Sequence, residues 1–361
     1  MSEPKGKRRY DISLLVIVLL LVIIGLVILY STSAYNGRVK FDDAFYYLKK
    51  QAFATSLGIA AMVVMAKIDY HIWRQFAVIS YLIAVVLSLA VLFIGDEYNG
   101  SKRWLSFGPF SFQPSEFAKI AVILFLAYLI EKSARKMHKM KRMILIIAAI
   151  LPIVGLVGAS NLSTAIIILG IGIVLVFVAS PKYIQFILLG ASGIGFMTIF
   201  LALESYRLER LAIWRNPELY EKGYQTLQGL YAIGSGGLFG VGLGKSVQKL
   251  GFVPEAQNDM IFSIICEELG LVGASLIVLL FLLLIWRFFV IATKARDLFG
   301  ALIATGAMAH MMIQVILNVA VVTNTIPNTG ITLPFISYGG TSVVFLLMEM
   351  GLVLSVSNLL E

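Results

Sequence analysis

The chain has little charge, one cysteine and three histidines. Only 14% of its 361 residues are Asp, Glu, Lys or Arg. Together with a mean hydropathy of +0.91, this excludes an ordinary soluble enzyme, in which about a quarter of residues are charged. The lone Cys266, inside an apolar run, excludes an intramolecular disulfide and a Cys-rich metal site. There is no zinc-ligand spacing, no Ser-His-Asp order and no dinucleotide fingerprint. What the sequence does have is apolar length: 59% of it is hydrophobic. The composition is that of an all-α polytopic membrane protein. The formal charge of +9 comes from basic residues lying between apolar runs rather than along one stripe. Lipid headgroups and bilayer orientation account for them, and a nucleic-acid partner is not implied.

The N-terminal tail, about 1–12, carries Lys5, Lys7, Arg8 and Arg9 and precedes an apolar run over 13–30. The following Ser31-Thr32-Ser33-Ala34 imitates a signal-peptide cleavage site, but a run of 18 residues exceeds a signal core and reads as a retained first span. Further spans are expected at about 52–67, 76–94, 114–130, 143–159, 162–179, 184–203, 261–286, 299–322 and 340–358, about ten helices in all. Alternating the short loops from the N-terminus places 16 Lys and Arg on the N-terminal side against 6 opposite. Both termini are therefore expected in the cytoplasm. The long connection over 204–260 then lies outside as part of a single membrane domain spanning 1–361, and a loop of that length usually carries function.

Within that loop, Gly234, Gly236, Gly237, Gly240, Gly242 and Gly244 precede Lys245-Ser246. A phosphate-binding loop would need glycine where Phe239 stands, so a nucleotide site is rejected. Two readings stay open: a glycine segment that packs backbone closely, or amides that hold a phosphorylated lipid headgroup. Asp259 follows at the mouth of the eighth span, where an acid can cap the helix or accept a proton from a lipid-linked substrate. Glu267 and Glu268, two turns further in, call for cations on neighbouring helices. In the fourth span Glu116 and Lys119 share a helical face, as a structural pair or as part of a wet cavity. Lys102-Arg103-Trp104 offers cations and an interfacial aromatic, for a pyrophosphate lipid or for anchoring. His310, Gln314 and Asn318 recur at spacing four and suit interhelical hydrogen bonds.

These elements resemble, over nearly the whole chain, the SEDS family (shape, elongation, division and sporulation), the FtsW/RodA/SpoVE group of bacterial cell-wall polymerases. The match is carried by Lys102-Arg103-Trp104 with Gln113-Pro114-Ser115-Glu116 and Lys119, Gly223-Tyr224-Gln225, and the glycine run with Ser246, Gln248 and Lys249. Pro254-Glu255 through Asp259, Glu267-Glu268-Leu269-Gly270 and Leu333-Pro334-Phe335-Ile336-Ser337-Tyr338-Gly339-Gly340 complete it. Val321-Val322-Thr323 and Thr329-Gly330 look more like the division and sporulation branch than the elongation branch.

The resemblance implies an inverting peptidoglycan glycosyltransferase that polymerises lipid II on the outer face of the bacterial cytoplasmic membrane, with a class B penicillin-binding protein as partner. It places Asp259 at the family's essential acid, as general base, with undecaprenyl pyrophosphate leaving. It also assigns substrate binding to Lys102, Arg103, Glu116, Lys119, Lys245, Ser246, Lys249 and Ser337. No cofactor is required by these residues, although a divalent cation (Mg or Mn) is compatible with the chemistry. Two departures stand out. Asn161 lies where the family commonly has an acid, and Gln257 where a His is frequent. A lipid II flippase and a non-catalytic scaffold for the penicillin-binding protein are the competing expectations.

Overall fold

The computed structural model describes residues 10–98, 101–107, 110–182, 186 and 212–358. It is a bundle of long helices: α1 (Ile12–Phe41), α2 (Tyr46–Lys67), α3 (Tyr70–Ile94), α4 (Pro114–Ser133), α5 (Met140–Ala148), α6 (Leu151–Ser160), α7 (Leu162–Ala179), α8 (Tyr224–Gly236), α9 (Ile261–Lys294), α10 (Leu298–Val322) and α11 (Gly340–Ser357). Of these, α1, α3, α7, α9, α10 and α11 are each long and apolar enough to cross a membrane. The protein is a multi-pass membrane protein. The expected span over 143–159 is a pair, α5 and α6, bent by 40°; Pro152 sits in the first turn of α6, where its missing N–H costs nothing. The expected span over 184–203 lies almost wholly outside the described residues.

Helix α4 sits at the centre, packed against α3, α7 and α10. From Ala118 to Ala127 every residue is buried, as expected of a helix enclosed on all sides. Its polar residues therefore have no water to turn to and must find partners inside the protein. Around it, α11 lies chiefly on α2, close enough that a side chain at Gly351 would collide with the Met62 carbonyl. Small residues permit such approach where lipid supplies no hydrophobic drive between helices.

Two elements were not legible as secondary structure. Residues between α3 and α4 form a three-stranded antiparallel sheet, β1 (Asp96–Tyr98), β2 (Ser101–Phe107) and β3 (Phe110–Phe112), in that order. The long connection contains α8, which packs on α9. Helix α9 is itself broken at Gly270, whose φ is 68°. The glycine turn of 237–242 fills the break: the amides of Val241 and Gly242 donate to the carbonyls of Glu267 and Glu268, and those of Leu271 and Val272 donate to the carbonyls of Gly237 and Leu238. Backbone groups freed in the middle of a helix are thereby satisfied within the protein. Of the two readings of the glycine run, close backbone packing is the one this geometry carries. A methyl group at Gly270 would strike the backbone of Leu238 and Gly240, and its positive φ with extended ψ alone costs a side chain about 1–3 kcal/mol. Gly270→Ala is expected to lower the melting temperature of the purified protein, measured by intrinsic fluorescence, more than Ala substitution at Gly155, where a new Cβ meets nothing.

Candidate functional site

One end of the bundle gathers the start of α9, the start of α8, the first turn of α7 and the connection 323–339 between α10 and α11. The segment before α9 is pinned there carbonyl by carbonyl. The Tyr338 amide donates to the Gln257 carbonyl (2.9 Å), the Ser337 hydroxyl to that of Asn258 (2.7 Å), and the Asn318 side-chain amide to that of Asp259 (2.9 Å). Asn318 also donates to the Ile331 carbonyl at 2.7 Å, tying the two segments to α10. The first turn of α7 joins through Ser163, whose hydroxyl donates to the Thr329 carbonyl at 2.5 Å. Asn161, at the position where the family's acid is missing, caps α7 by accepting the Thr164 amide at 3.1 Å.

Asp259 lies at the centre of this lattice and is 9% exposed. It is not a helix cap: Met260 holds the N-cap position of α9 and no side chain caps it. The Gln225 amide nitrogen, on α8, lies 3.3 and 3.4 Å from its two oxygens. Gly330 is close enough that a Cβ there would lie 3.9 Å from Oδ2. Burial pushes the Asp259 carboxyl up to about 6, with the charge of Glu255 adding to it, against the lowering effect of its own amide, the Gln225 side chain and the Met260 amide. A carboxylate tuned to that value is mostly ionised near neutral pH and is a stronger proton acceptor than an exposed Asp.

The other buried acids are compensated. Glu116 pairs with Lys119 at 3.0 Å, and Lys119 also reaches the Gln314 oxygen at 3.3 Å. That oxygen accepts from His310 Nε2 (2.8 Å), because the Gln314 nitrogen is committed to the Thr332 carbonyl (3.1 Å). His310 Nδ1 in turn lies 2.7 Å from a Glu349 carboxylate oxygen. Glu116, Lys119, Gln314, His310 and Glu349 thus form a buried polar column through α4, α10 and α11.

Glu268 pairs with Lys249 at 2.6 Å and accepts from Ser31 of α1 at 2.7 and 2.9 Å and from the Ser246 amide at 3.3 Å. Glu267 accepts from the Ser246 hydroxyl and from the Val247 and Gln248 amides. Ser246 and Lys249, expected to hold substrate, are buried with their polar groups turned onto these two carboxylates. Adjacent acids at that depth require the cation and the amides of the glycine loop more than a ligand does. The cation for Glu268 comes from this loop rather than from a neighbouring helix, and Glu267 is met by a hydroxyl and amides instead of a cation.

The remaining expected residues divide by exposure. Lys245 is exposed on the glycine turn. Lys102 and Arg103, on β2, are half-buried; the Lys102 ammonium lies 3.4 Å from the Phe93 carbonyl, and Arg103 Nε donates to the Ser160 carbonyl at 2.9 Å. Ser337 is buried and serves the Asn258 carbonyl and the Leu333 amide. Among the described residues no three His, Cys, Asp or Glu side chains come together to ligate a metal ion. Gln225 and Asn318 were visible in the sequence only as parts of motifs, and Asn328 gave no signal.

The family model FTSW_RODA_SPOVE, described as a cell cycle protein, matches residues 11–361. Stage V sporulation protein E of Bacillus subtilis is 41% identical over 359 residues, 98% of each chain. The probable peptidoglycan glycosyltransferase FtsW of Geobacter metallireducens is 37% identical over 363 residues, 98% of this chain and 96% of that one. Among solved structures, a chain from a peptidoglycan synthase complex, studied for the coordination of polymerization and crosslinking, superposes with a TM-score of 0.81 at 29% identity, covering 96% of this chain and 97% of the other. The Thermus thermophilus rod shape determining protein RodA gives 0.71 at 30% identity, with 96% of each chain covered.

Proposed function

Since the chain belongs to the FtsW/RodA/SpoVE family, we propose that it is a peptidoglycan glycosyltransferase that polymerises lipid II at the outer face of the bacterial cytoplasmic membrane. The observation that carries the reading is the environment of Asp259. Among the described residues it is buried, has no cation at ion-pair distance and keeps neutral side-chain donors only, whereas Glu116 and Glu268 are ion-paired, Glu349 meets His310 and Glu267 is saturated by a hydroxyl and amides. Such a group is built to take up a proton.

In the reaction, Asp259 removes the proton of the acceptor sugar's 4-hydroxyl as that oxygen attacks the anomeric carbon of the donor. The bond from that carbon to the pyrophosphate oxygen breaks with its electron pair, leaving undecaprenyl pyrophosphate and a β-1,4 link of inverted configuration, and Asp259 later releases its proton to water. Lys245, Lys102 and Arg103 are the cations offered to the developing charge on the pyrophosphate. Glu116 and Lys119 hold the shape of the bundle beneath the site. The termini are on the cytoplasmic side, supported by the excess of Lys and Arg there, and the partner is a class B penicillin-binding protein, supported by the complex to which the chain is similar.

The test is incubation of labelled lipid II with the purified protein in lipid vesicles, alone and with a class B penicillin-binding protein whose transpeptidase is blocked. Long glycan strands are the expected product. Translocation of lipid II across the vesicle without any polymer would instead favour a flippase.

A further inference from the structure

Asn328 and Gln225 form a chain of side-chain amides that ends on Asp259, and its direction follows from acceptor-only neighbours. The Asn328 oxygen accepts the Gly330 amide at 3.0 Å, so its nitrogen faces away and donates to the Gln225 oxygen at 3.4 Å. The Gln225 nitrogen is then the atom turned toward the Pro254 carbonyl (3.5 Å) and both Asp259 oxygens (3.3 and 3.4 Å). A carbonyl and a carboxylate can only accept, so both ends of the chain fix the same orientation of the Gln225 amide. A single nitrogen 3.3 and 3.4 Å from the two oxygens shares its donation between them and restrains the carboxylate. It also favours the charged form of Asp259 over the neutral one.

We infer that Gln225, oriented by Asn328, is the positioning residue that fixes the carboxylate of Asp259 and stabilises its proton-accepting form. This rests on the reading of Asp259 as general base. Among the described residues, the charged side chain acting on Asp259 is Glu255, in the turn before it, while α8, α10 and the 323–339 connection present neutral groups: Gln225, the Asn318 amide on the backbone, and Gly330. With Glu255 opposing ionisation, Gln225 is, among the described residues, the side chain that supports it. Loss of that donor should move the acid limb of the pH–rate profile to higher pH.

The experiment measures initial polymerisation rates of the full chain with its penicillin-binding partner across the acid and neutral range, for wild type, Gln225→Met, Gln225→Glu, Asn328→Ala and Asp259→Asn. Gln225→Met keeps the length and removes the donor; the limb should rise by about one pH unit, a loss of about tenfold at acid pH that shrinks toward alkaline pH. Gln225→Glu should shift it further by adding like charge. Asn328→Ala, at an exposed residue that does not touch the carboxylate, should shift it in the same direction by less. Infrared titration of the carboxyl band that disappears in Asp259→Asn reads the same midpoint without turnover. A limb and a band unmoved in these variants, with rates lowered equally at every pH or not at all, would overturn the inference. Should Gln225→Met fail to fold, Gln225→Glu and Asn328→Ala decide it alone. Full activity in Asp259→Asn would sink the reading of the base itself, and this inference with it.

Discussion

Replacing Asp259 with Asn should reduce glycan polymerisation by about 10²–10⁴-fold, the usual contribution of a general base, while making the folded protein more stable at neutral pH. The second half follows from linkage. A carboxyl whose folded value is raised to about 6 from 3.8 destabilises the fold when it is ionised, by up to about 3 kcal/mol above pH 6. The penalty grows as pH rises through this window and is absent below about pH 4, where the group is protonated in both states. The Asn variant should accordingly melt higher than wild type at neutral pH, with the difference closing on acidification. The pair of results separates lost chemistry from lost structure, because a variant that failed by misfolding would melt lower. Active sites often hold groups that cost stability in this way.

Lys249→Met should produce the largest loss of stability among single substitutions in the buried ion pairs. Glu268 is 2% exposed and sits beside Glu267, so removing the ammonium at 2.6 Å leaves an uncompensated buried charge, at a cost of about 3–5 kcal/mol. The double variant Lys249→Met with Glu268→Gln should recover much of that cost, since the amide still accepts from Ser31 and no charge is stranded. Thermal unfolding of the three variants in one detergent measures this directly. If Lys249 instead served as a substrate cation, the single variant would lose rate with its melting temperature unchanged, and the second substitution would restore nothing.

Individual residues show what the sequence could reveal and why the rest stayed hidden. The apolar runs announced the helices, because a bilayer demands length and hydropathy that no other environment does. Glu116 and Lys119 could be paired at sight, since spacing three puts them on one face, and 3.0 Å separates them in the fold. Asp259 was singled out by its position at a helix mouth. The pairing of Lys249 with Glu268 stayed hidden because the two meet across a loop whose path depends on the break at Gly270, and no local pattern encodes that encounter. The same holds for Gln225, which meets Asp259, and for Asn328, which meets Gln225, each from far away in the chain. The sheet at 96–112 was missed because its strands are only three to seven residues long, too short for alternation to register.

The most direct test of Asp259 as the base is the pH dependence of single-turnover polymerisation of lipid II by the wild-type protein with its partner. The rate is expected to fall below about pH 6 with unit slope, tenfold per pH unit, because one carboxylate must be ionised. A rate that stays flat well below pH 6 in protein that remains folded would contradict it.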